Sequence, residues 1–328
     1  MSTRITGTGS SLPEGILTNK DLEKLVDTSD EWIVSRTGIR ERRIAGEGEY
    51  TSTFAVRAAR QALEMAGIAP EELDLIIVAT ITGDYPWPAT ACIVQAEIGA
   101  SKAVAFDISA ACSGFVYGVA TADRFMRAGT ARKALVIGAE VLTRIMDWTD
   151  RNTCLLFGDG AGAVVIEAGD EEPGIYEGII RSDGNYAELL YQPGGGSRNP
   201  ASQRTLVDRM HSLNMHGNEV FKLAVRAMEE AAVEVLELNG LDPADLAMLI
   251  PHQANKRIID AIAKRLKLPE EKVYMNLDRY GNTSAASIPI ALDEANRNGS
   301  IKKGDLVLFV AFGGGLTWGA LPVRWTIG

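Results

Sequence analysis

An internal repeat is the feature that most restricts how this chain can fold. The segment AVRAARQALEMAGIAPEELDLIIVA, which starts at Ala55, recurs as AVRAMEEAAVEVLELNGLDPADLAMLIPH from Ala224. Two further pairs follow in the same order: RAGTARKALVIG is matched by RNGSIKKGDLVLF, and FGDGAGAVVI is matched by FGGGLTWGALPV. Three matches in one order indicate a duplicated structural unit.

Each copy alternates short apolar runs with helical patterns. The runs DLIIVATIT, KALVIGAEVL, DLAMLIPHQ and DLVLFVAFG have the length and composition of buried strands. Strands that alternate with helices are typical of an α/β fold. We therefore expect an α/β protein of two similar halves, residues 1–171 and 172–328.

Composition excludes several classes of protein. The formal net charge of −10 argues against nucleic-acid binding, and no apolar run approaches the roughly 20 residues of a membrane helix. The N-terminus lacks a secretion signal, so we expect a soluble, cytoplasmic protein. The three cysteines have no metal-binding spacing, which favours a thiol with a chemical role over a disulfide or a metal site.

Cys112 is the candidate for that thiol. It lies between the apolar run FDISAA and the helical pattern SGFVYGVATADRFMRAG. A helix N-terminus would lower the pKa of the thiol and favour the nucleophilic thiolate. The alternative is a buried cysteine that only fills space. Cys92 and Cys154 lie in apolar runs, and we expect both to pack in the core.

His252 and Asn282 are the candidate partners of Cys112. His252 follows a proline at the end of an apolar run, so we expect its ring at the carboxyl end of a strand, facing the crevice between the halves. Counting back in equal steps from Gly129 and Gly299 gives Asn282 the position in the second copy that Cys112 has in the first. A neutral imidazole and a neutral amide can together donate two hydrogen bonds to an oxyanion.

Each of these two residues has an ordinary structural alternative. His252 could be a capping or core histidine, and Asn282 could be a turn or N-cap residue. The remaining histidines, His211 and His216, lie in the polar segment DRMHSLNMHGN and are interpreted as loop residues.

Several motifs together resemble one family. DISAACSGF, PHQAN, RYGNTSAAS, AFGGGLTWG and DTSDEWIVSRTGIRERR are similar to motifs of 3-oxoacyl-[acyl-carrier-protein] synthase III, and the resemblance runs from GTGSSLP to WGALPVRW. It implies a thiolase-like fold, that is, an internally duplicated, five-layered αβαβα architecture, and a homodimer. It also implies the condensation that initiates type II fatty acid synthesis.

The resemblance implies a ping-pong reaction centred on Cys112. Cys112 takes a short acyl group from acyl-coenzyme A, and malonyl-acyl carrier protein then loses CO2 and attacks the thioester to give 3-oxoacyl-acyl carrier protein. His252 and Asn282 match the pair that stabilises the malonyl thioester oxyanion. The backbone N–H groups of Cys112 and Gly314 match an oxyanion hole, and Phe312 matches an active-site wall. Neither a metal nor a redox cofactor takes part.

The resemblance also implies binding residues for coenzyme A and for the acyl group. The residues matched to coenzyme A binding are Trp32, Arg36, Arg151, Gly217, Asn218, Ala254 and Asn255. The candidate walls of the acyl pocket are Trp87, Leu142, Phe157, Leu189, Leu213 and Met215. Trp87 matches the position that reaches across the dimer into the partner's pocket, where its size favours acetyl or similarly small primers. Alternatively, Trp87 only packs at the dimer interface.

A basic helix face is the candidate docking surface for the acidic carrier protein. In NKRIIDAIAKRLKL, helical spacing places Arg257, Lys264 and Arg265 on one face, while Ile258, Ile262 and Leu266 face inward. Lys256 and Lys222 extend that face. An ordinary solvated helix surface is the alternative interpretation.

Other functions fit the sequence less well. A related condensing enzyme that uses a longer, branched or aromatic acyl-coenzyme A remains open, as does a non-catalytic partner that binds coenzyme A or carrier protein. A hydrolase built on Cys112 and His252 is chemically conceivable. A nicotinamide dehydrogenase is disfavoured, because GTGSSL lacks the third glycine of the dinucleotide fingerprint.

Overall fold

The structure is a computed structural model that describes residues 2–169 and 174–328. Its strands are β1 (Ser2–Ser11), β2 (Gly15–Thr18), β3 (Glu41–Ile44), β4 (Leu75–Ala79), β5 (Val104–Ile108), β6 (Lys133–Glu140), β7 (Gly160–Gly169), β8 (Ile179–Ser182), β9 (Leu190–Tyr191), β10 (Asn214–Met215), β11 (Leu246–Pro251), β12 (Leu306–Gly313) and β13 (Thr317–Arg324). Its α-helices are α1 (Asn19–Leu22), α2 (Asp30–Thr37), α3 (Thr51–Ala66), α4 (Thr90–Ile98), α5 (Gly114–Arg127), α6 (Gln203–Val207), α7 (Gly217–Leu238), α8 (Lys256–Arg265), α9 (Leu277–Tyr280) and α10 (Ser287–Arg297).

Two sheets repeat one topology. In the first, the strand order is β1-β7-β6-β4-β5, and β4 is parallel to both of its neighbours. In the second, the order is β8-β13-β12-β11, and β11 is parallel to β12. Val273 forms a parallel bridge to Leu249 of β11, at the place that β5 takes in the first sheet. The shared order confirms the duplicated unit that the sequence repeat predicts.

The elements stack in five layers. Helices α3 and α4 cover the outer face of the first sheet, α5 and α10 lie between the sheets, and α7 and α8 cover the outer face of the second. All residues of β4 and β12 are buried, as expected for strands covered by helices on both faces. This is the αβαβα architecture that the resemblance implies.

The two central helices differ in length, which corrects one sequence expectation. Both are followed by a glycine with left-handed φ, 78° at Gly129 and 76° at Gly299. However, α5 has 14 residues and α10 has 11, so counting back in equal steps gives an alignment that is wrong by the difference, slightly less than one helical turn. A short 3₁₀ turn precedes each helix, at residues 111–113 and 284–286. By these turns the counterpart of Cys112 is Ala285, and Asn282 lies further upstream.

The first sheet takes its strands from residues 2–169, and the second takes its strands from residues 179–324. The boundary expected between residues 171 and 172 lies outside the described residues. Among the helices of the described ranges, none has both the length and the apolar character needed to cross a bilayer.

Candidate active site

The two 3₁₀ turns pack against each other between the sheets, and glycines allow this close approach. A Cβ on Gly313, at the end of β12, would lie 2.6 Å from the backbone nitrogen of Cys112. A Cβ on Gly138, in β6, would lie 2.1 Å from the backbone oxygen of Ala285. Each turn therefore rests against a strand that tolerates no side chain at the point of contact.

Cys112 lies where two cavities meet. The outer cavity is lined by Cys112, His252, Asn282 and Phe312, among others. Phe157 also lines the second cavity. We call this second cavity the inner cavity; its lining includes Cys112, Leu142, Leu213 and Gly314. The structure thus brings the three residues singled out in the sequence onto one cavity wall, with Phe312 beside them.

The surroundings of His252 keep its ring neutral and oriented. Its backbone N–H donates to the carbonyl of Val310 (2.8 Å), and its Nδ1 lies 2.7 Å from Oγ of Ser287. The ring is 2% exposed, and burial lowers the pKa of His252 to about 3. Because the Ser287 hydroxyl already accepts the N–H of Gln253 (3.3 Å), its own hydrogen can go to Nδ1. That arrangement favours the tautomer with hydrogen on Nε2.

The side-chain amide of Asn282 is also oriented by its neighbours. Its backbone N–H donates to the carbonyl of Leu156 (2.8 Å), and its Oδ1 accepts the backbone N–H of Ser284 (2.8 Å). The amide oxygen is therefore occupied in a turn, which leaves Nδ2 as the donor toward the cavity. Asn282 is therefore a turn residue through its amide oxygen, and its amide nitrogen can act as the donor that the sequence predicts.

Burial governs the acidity of Cys112. Loss of solvent raises the pKa of its thiol to about 12; a contact with the Ser284 hydroxyl lowers it, and the charge of Glu140 raises it further. The expectation that the N-terminus of α5 would bring the pKa below its ordinary value is therefore wrong, because desolvation of a buried sulfur favours the neutral thiol.

Hydrogen bonds hold the glycine-rich loop against the cysteine turn. The hydroxyl of Thr317 donates to the carbonyl of Ala110 (2.9 Å), and the hydroxyl of Ser113 donates to the carbonyl of Thr317 (3.0 Å). A Cβ on Gly314 would lie 2.7 Å from the carbonyl oxygen of Leu190. Gly314 and Cys112 consequently line the inner cavity together.

The predicted acyl-pocket residues separate into three groups. Leu142, Phe157 and Leu213 line the inner cavity, as expected, whereas Met215 lines the outer one. Leu189 is outside both linings, and Leu190 takes part in both, because Leu190 pairs with Met215 in the short ladder of β9 and β10. Trp87 is 83% exposed and lines neither cavity of its own chain.

The residues expected to bind coenzyme A form a path toward the outer cavity. The guanidinium of Arg151 lies 4.9 Å from the centroid of the Trp32 ring, and that of Arg36 lies 5.7 Å from it. Asn255 donates to the carbonyl of Arg36 (3.1 Å). The remaining residues are near the start of α7 and α8: Gly217, Ala254 and Asn255 line the outer cavity, and Asn218 is exposed beside it.

Helix α8 has the buried apolar face and the exposed basic face that the sequence predicts. Ile258, Ile262 and Leu266 are buried, while Arg257, Lys264, Arg265 and Lys222 are exposed. The Arg257 guanidinium lies 5.0 Å from the centroid of the Phe221 ring, which lines the outer cavity. Lys256 donates to Asp260 (2.8 Å), so its charge is offset within the helix.

The predictions for the other cysteines and histidines are confirmed for some residues and wrong for one. Cys154 is buried, as expected, but the expectation of core packing for Cys92 is wrong, because this residue lies on an exposed face of α4. His211 is in a loop, where its Nε2 lies 2.9 Å from the Thr205 hydroxyl, and His216 precedes α7 on the surface. Within the described ranges, no group of three or more His, Cys, Asp or Glu side chains is arranged to hold a metal ion.

Sequence reasoning missed Ser284, Ser287 and Glu140. The two serines lie in RYGNTSAAS, which contains three serine and threonine residues that the sequence alone does not distinguish. Glu140 had a usable signal, since it is an acid at the carboxyl end of an otherwise apolar strand, where ligands bind in α/β sheets.

Comparison with known proteins identifies the family. Residues 106–184 match the model described as 3-oxoacyl-[acyl-carrier-protein (ACP)] synthase III, and residues 236–325 match the model of its C-terminal part. A protein of Caldanaerobacter subterraneus subsp. tengcongensis named beta-ketoacyl-[acyl-carrier-protein] synthase III is 59% identical over 322 residues, which cover 98% of this chain and 97% of the relative.

Solved structures agree with this assignment. The 3-oxoacyl-[acyl-carrier-protein] synthase III of Aquifex aeolicus VF5 has a TM-score of 0.91 at 52% identity, with 99% of this chain and 100% of that chain covered. The priming beta-ketosynthase from the R1128 polyketide biosynthetic pathway has a TM-score of 0.92 at 37% identity, with 99% and 96% covered. These matches also show the thiolase fold. The chain belongs to the 3-oxoacyl-[acyl-carrier-protein] synthase III family and is an acyltransferase.

Proposed function

We propose that this chain transfers a short acyl group, preferably acetyl, from acyl-coenzyme A to malonyl-acyl carrier protein. The products are 3-oxoacyl-acyl carrier protein, CO2 and coenzyme A, and the reaction initiates type II fatty acid synthesis. The observation that carries the proposal is the common cavity of Cys112, His252 and Asn282, where two neutral donors face a buried thiol. Family membership supports the reaction class.

Acylation takes place at Cys112. Its S–H bond breaks as the sulfur bonds to the acyl carbon, and the bond from that carbon to the coenzyme A sulfur breaks. Coenzyme A leaves as a thiol, so the proton released by Cys112 is balanced by the proton that coenzyme A takes up. The backbone N–H groups of Cys112 and Gly314 are the proposed donors to the oxygen of the tetrahedral intermediate. Support comes from the close packing of the glycine loop on the cysteine turn.

Condensation uses the outer cavity. The bond between the malonyl carboxylate and its neighbouring carbon breaks, CO2 leaves, and the electron pair remains as an enolate whose oxygen accepts from Nε2 of His252 and Nδ2 of Asn282. The carbanion then attacks the acyl carbon, and Cys112 leaves as thiolate, which takes up one proton from solvent to restore the thiol. Because both donors are neutral, they stabilise the developing oxyanion without retaining it as a permanent ion pair.

Binding of the two carriers follows from the surface around the cavity. Trp32, Arg36 and Arg151 are the proposed site for the nucleotide end of coenzyme A, where an aromatic ring and two guanidinium groups suit adenine and phosphate. The exposed cations Arg257, Lys264 and Arg265, with Lys222 nearby, are the proposed docking surface for an acidic carrier protein. Lys256 contributes less, since Asp260 neutralises it.

A homodimer formed through β5 is also part of the proposal. This strand is at the edge of its sheet, and exposed apolar residues lie around it: Val104 is 61% exposed, and Tyr85 and Trp87 are similarly uncovered. An open edge bordered by apolar side chains needs a partner. A second copy would cover this surface and the exposed Cys92, and would allow Trp87 to reach the partner's inner cavity and shorten it.

A second candidate function is priming with a longer or branched acyl group. The 37% identity to a priming beta-ketosynthase of a polyketide pathway supports a priming role outside fatty acid synthesis. Either reaction needs a reduced thiol, so we place the protein in the cytoplasm. No metal or redox cofactor enters the proposed steps.

The test is a competition among acyl-coenzyme A chains with malonyl-acyl carrier protein as acceptor. We expect 3-oxoacyl-acyl carrier protein and CO2 to form, with acetyl used in preference to straight chains of eight carbons. Equal use of the long chain would contradict the role of Trp87 and favour the second function. The absence of any condensation product would contradict both.

A further inference from the structure

Arg42 is a fully buried cation that the proposed reaction leaves unused. It lies on β3, in the segment TGIRERR, and its side chain is 0% exposed. Burial lowers the pKa of Arg42 to about 10, which still leaves the guanidinium charged at neutral pH. None of the ion pairs among residues 2–169 and 174–328 includes it. A buried charge without a counter-ion is costly unless hydrogen bonds compensate it, so Arg42 depends on the groups to which it donates.

The guanidinium of Arg42 joins two distant parts of the chain. On one side, Nη1 donates to the carbonyl of Leu17 (3.2 Å) and to Oδ1 of Asn19 (2.9 Å), where β2 meets α1. On the other side, Nη2 donates to the carbonyl of Leu155 (2.7 Å), which is 113 residues away in the sequence. Hydrogen bonds from a charged donor are stronger than those between neutral groups, so the Leu155 carbonyl is firmly held.

The segment that follows Leu155 holds the backbone of Asn282. The carbonyl of Leu156 accepts the N–H of Asn282 (2.8 Å), and the N–H of Gly158 donates to the carbonyl of Asn282 (3.0 Å). Phe157 and Asn282 consequently form a parallel bridge. Both backbone groups of Asn282 thus depend on this segment, and a shift of the segment would move the Asn282 amide in the outer cavity.

Arg42 also packs directly against this bridge. A Cβ on Gly158 would lie 3.2 Å from Cβ of Arg42, and a Cβ on Gly281 would lie 3.3 Å from the same atom. The next residue of β3, Arg43, accepts the N–H of Asp159 (3.0 Å) at its carbonyl. Cβ of Arg42 therefore lies beside two glycines, one on each side of the bridge, while its guanidinium binds the start of the segment.

We propose that Arg42 is a positioning residue for Asn282. It holds the Leu155 carbonyl, which fixes the following segment and, through the backbone hydrogen bonds of that segment, the amide donor that faces the malonyl oxyanion. Arg42 lines neither the outer nor the inner cavity, so it acts on the substrate only through Asn282. The inference rests on the proposed role of Asn282 in decarboxylation.

Other contacts support the rest of the site. His252 donates its backbone N–H to Val310 (2.8 Å), and the turn that carries Cys112 rests on Gly313. Loss of Arg42 should therefore impair decarboxylation, which uses the amide donor, more than acylation of the thiol. A residue that only stabilised the fold would affect both half-reactions alike.

The Asn19 side of the guanidinium leads to the proposed coenzyme A site. Nδ2 of Asn19 donates to Asp30 (2.8 Å), the first residue of α2, and that helix carries Trp32 and Arg36. Substitution of Arg42 can therefore raise the Michaelis constant for acetyl-coenzyme A. Acylation must be compared at saturating acetyl-coenzyme A, so that a change in binding is not mistaken for a change in the chemical step.

The experiment is a double-mutant cycle on the release of labelled CO2 from saturating malonyl-acyl carrier protein. Arg42→Met removes every donor of the guanidinium and keeps an unbranched apolar side chain. It should slow CO2 release about 10-fold, because a misplaced donor loses much of its hydrogen bond to the oxyanion. Acetyl labelling of Cys112 at saturation should be nearly unchanged.

The cycle combines Arg42→Met with the loss of either proposed donor. In an Asn282→Ala background, Arg42→Met should cause no further loss, because the amide that Arg42 positions is absent. In a His252→Ala background, it should still slow CO2 release about 10-fold. Arg42→Lys keeps the charge but replaces the planar fork by a point donor, so its rate should lie between those of wild type and Arg42→Met.

The matched control is Arg324→Met. It removes another guanidinium that donates to a backbone carbonyl, that of Gly304 (3.1 Å). Arg324 pairs with Leu306, the first residue of β12, whereas the active site lies at the opposite end of that strand. The control should release CO2 and gain label as wild type does, and denaturant unfolding shows which of the variants are folded.

Equal losses in decarboxylation and acylation would overturn the positioning role, and so would an undiminished loss from Arg42→Met in the Asn282→Ala background. Either result would leave the proposed function intact, provided that Asn282→Ala alone slows CO2 release. If Asn282→Ala released CO2 as fast as wild type, the proposed role of Asn282 would be wrong, and the inference with it. If Arg42→Met does not fold, Arg42→Lys decides the question in the same cycle.

Discussion

The turns before α5 and α10 have nearly the same backbone but carry different chemistry. Each begins with a non-glycine residue of left-handed φ, Ala111 at 45° and Ser284 at 49°, and each packs against a strand glycine. The first turn carries Cys112, the proposed nucleophile, and the second carries Ser284 at its start. Duplication thus supplied one rigid frame twice, and the two copies could specialise because the frame depends on backbone contacts more than on side chains.

The sheets show the same division of roles. Glu140 ends β6 in the first half, whereas β12 in the second half ends in Gly313 and continues into the glycine loop. One strand end therefore carries a carboxylate, and the other carries the glycine backbone that we propose binds the acyl oxygen. We expect substitutions at His252 and Asn282 to affect decarboxylation most, and substitutions at the cysteine turn and the glycine at the end of β12 to affect acylation most.

The largest difference between the two half-reactions should come from substitution of His252 or Asn282, the proposed hydrogen-bond donors of the second half. Replacement of His252 or Asn282 by alanine should slow malonyl decarboxylation by about 10² to 10³-fold, because each removes one donor to the enolate oxygen. Acylation of Cys112 should suffer less. Release of labelled CO2 from malonyl-acyl carrier protein and acyl labelling of the enzyme measure the two steps separately, and equal losses in both would contradict the division.

The pH dependence of decarboxylation provides a further check on His252. Burial lowers the pKa of His252 to about 3, so the ring stays neutral while the pH falls from neutrality until it nears that value. We therefore expect no loss of decarboxylation from imidazole protonation near its ordinary pKa of about 6.5. A loss centred there that disappears in His252→Ala would show that the ring titrates in solution.

The glycines under the two turns should give an intermediate effect. Gly313→Ala and Gly138→Ala each force a methyl group into backbone of the opposing turn, and overpacking of this kind costs about 1–3 kcal/mol of unfolding free energy. Only Gly313→Ala presses on the Cys112 nitrogen, so it should also slow acylation more strongly.

Denaturant unfolding and acylation rates test this pair. Gly196→Ala is the matched control, because its Cβ would meet nothing within 4 Å. If Gly138→Ala and Gly313→Ala unfold like the control, the close contacts described for the two turns are wrong.

The smallest effect should come from the surface charges. Arg257→Glu combined with Lys264→Glu should raise the Michaelis constant for malonyl-acyl carrier protein several-fold and flatten its salt dependence, since exposed charges steer association more than they stabilise the complex. Labelling by acetyl-coenzyme A should change less. The control is Lys302→Glu with Lys303→Glu, a charge reversal of equal size before the amino end of β12. Equal effects of the two double variants would place docking elsewhere.

The sequence was sufficient to predict the duplicated α/β architecture, because the internal repeat and the spacing of apolar residues depend directly on the strands and helices. Spacing and motif placed Cys112, His252 and Asn282 at one junction. Equal counting failed because α5 is longer than α10, a difference that leaves no mark in the flanking motifs. Two helices of different length can have the same kind of residue after their C-termini. A count back from that residue therefore does not locate the N-terminus of the helix.

The sequence did not predict the pKa of Cys112 or the exposure of Cys92, because both depend on burial in the folded structure. The position of Cys112 at a helix N-terminus suggested an acidic thiol, but desolvation raises its pKa to about 12. Cys92 has an apolar sequence context, yet its side chain is exposed in the described part of the chain. In both cases the deciding quantity is which atoms, from distant parts of the chain or from a second chain, surround the sulfur.

The central claim is that Cys112 carries the acyl group between two substrates. Mass spectrometry of the Cys112 peptide after brief mixing with acetyl-coenzyme A tests it most directly, followed by a chase with malonyl-acyl carrier protein. We predict that one acetyl group is added to Cys112, that the chase removes it as 3-oxoacyl-acyl carrier protein forms, and that Cys112→Ser gains none. Condensation product without acetylated Cys112, or retention of label through the chase, would contradict the account.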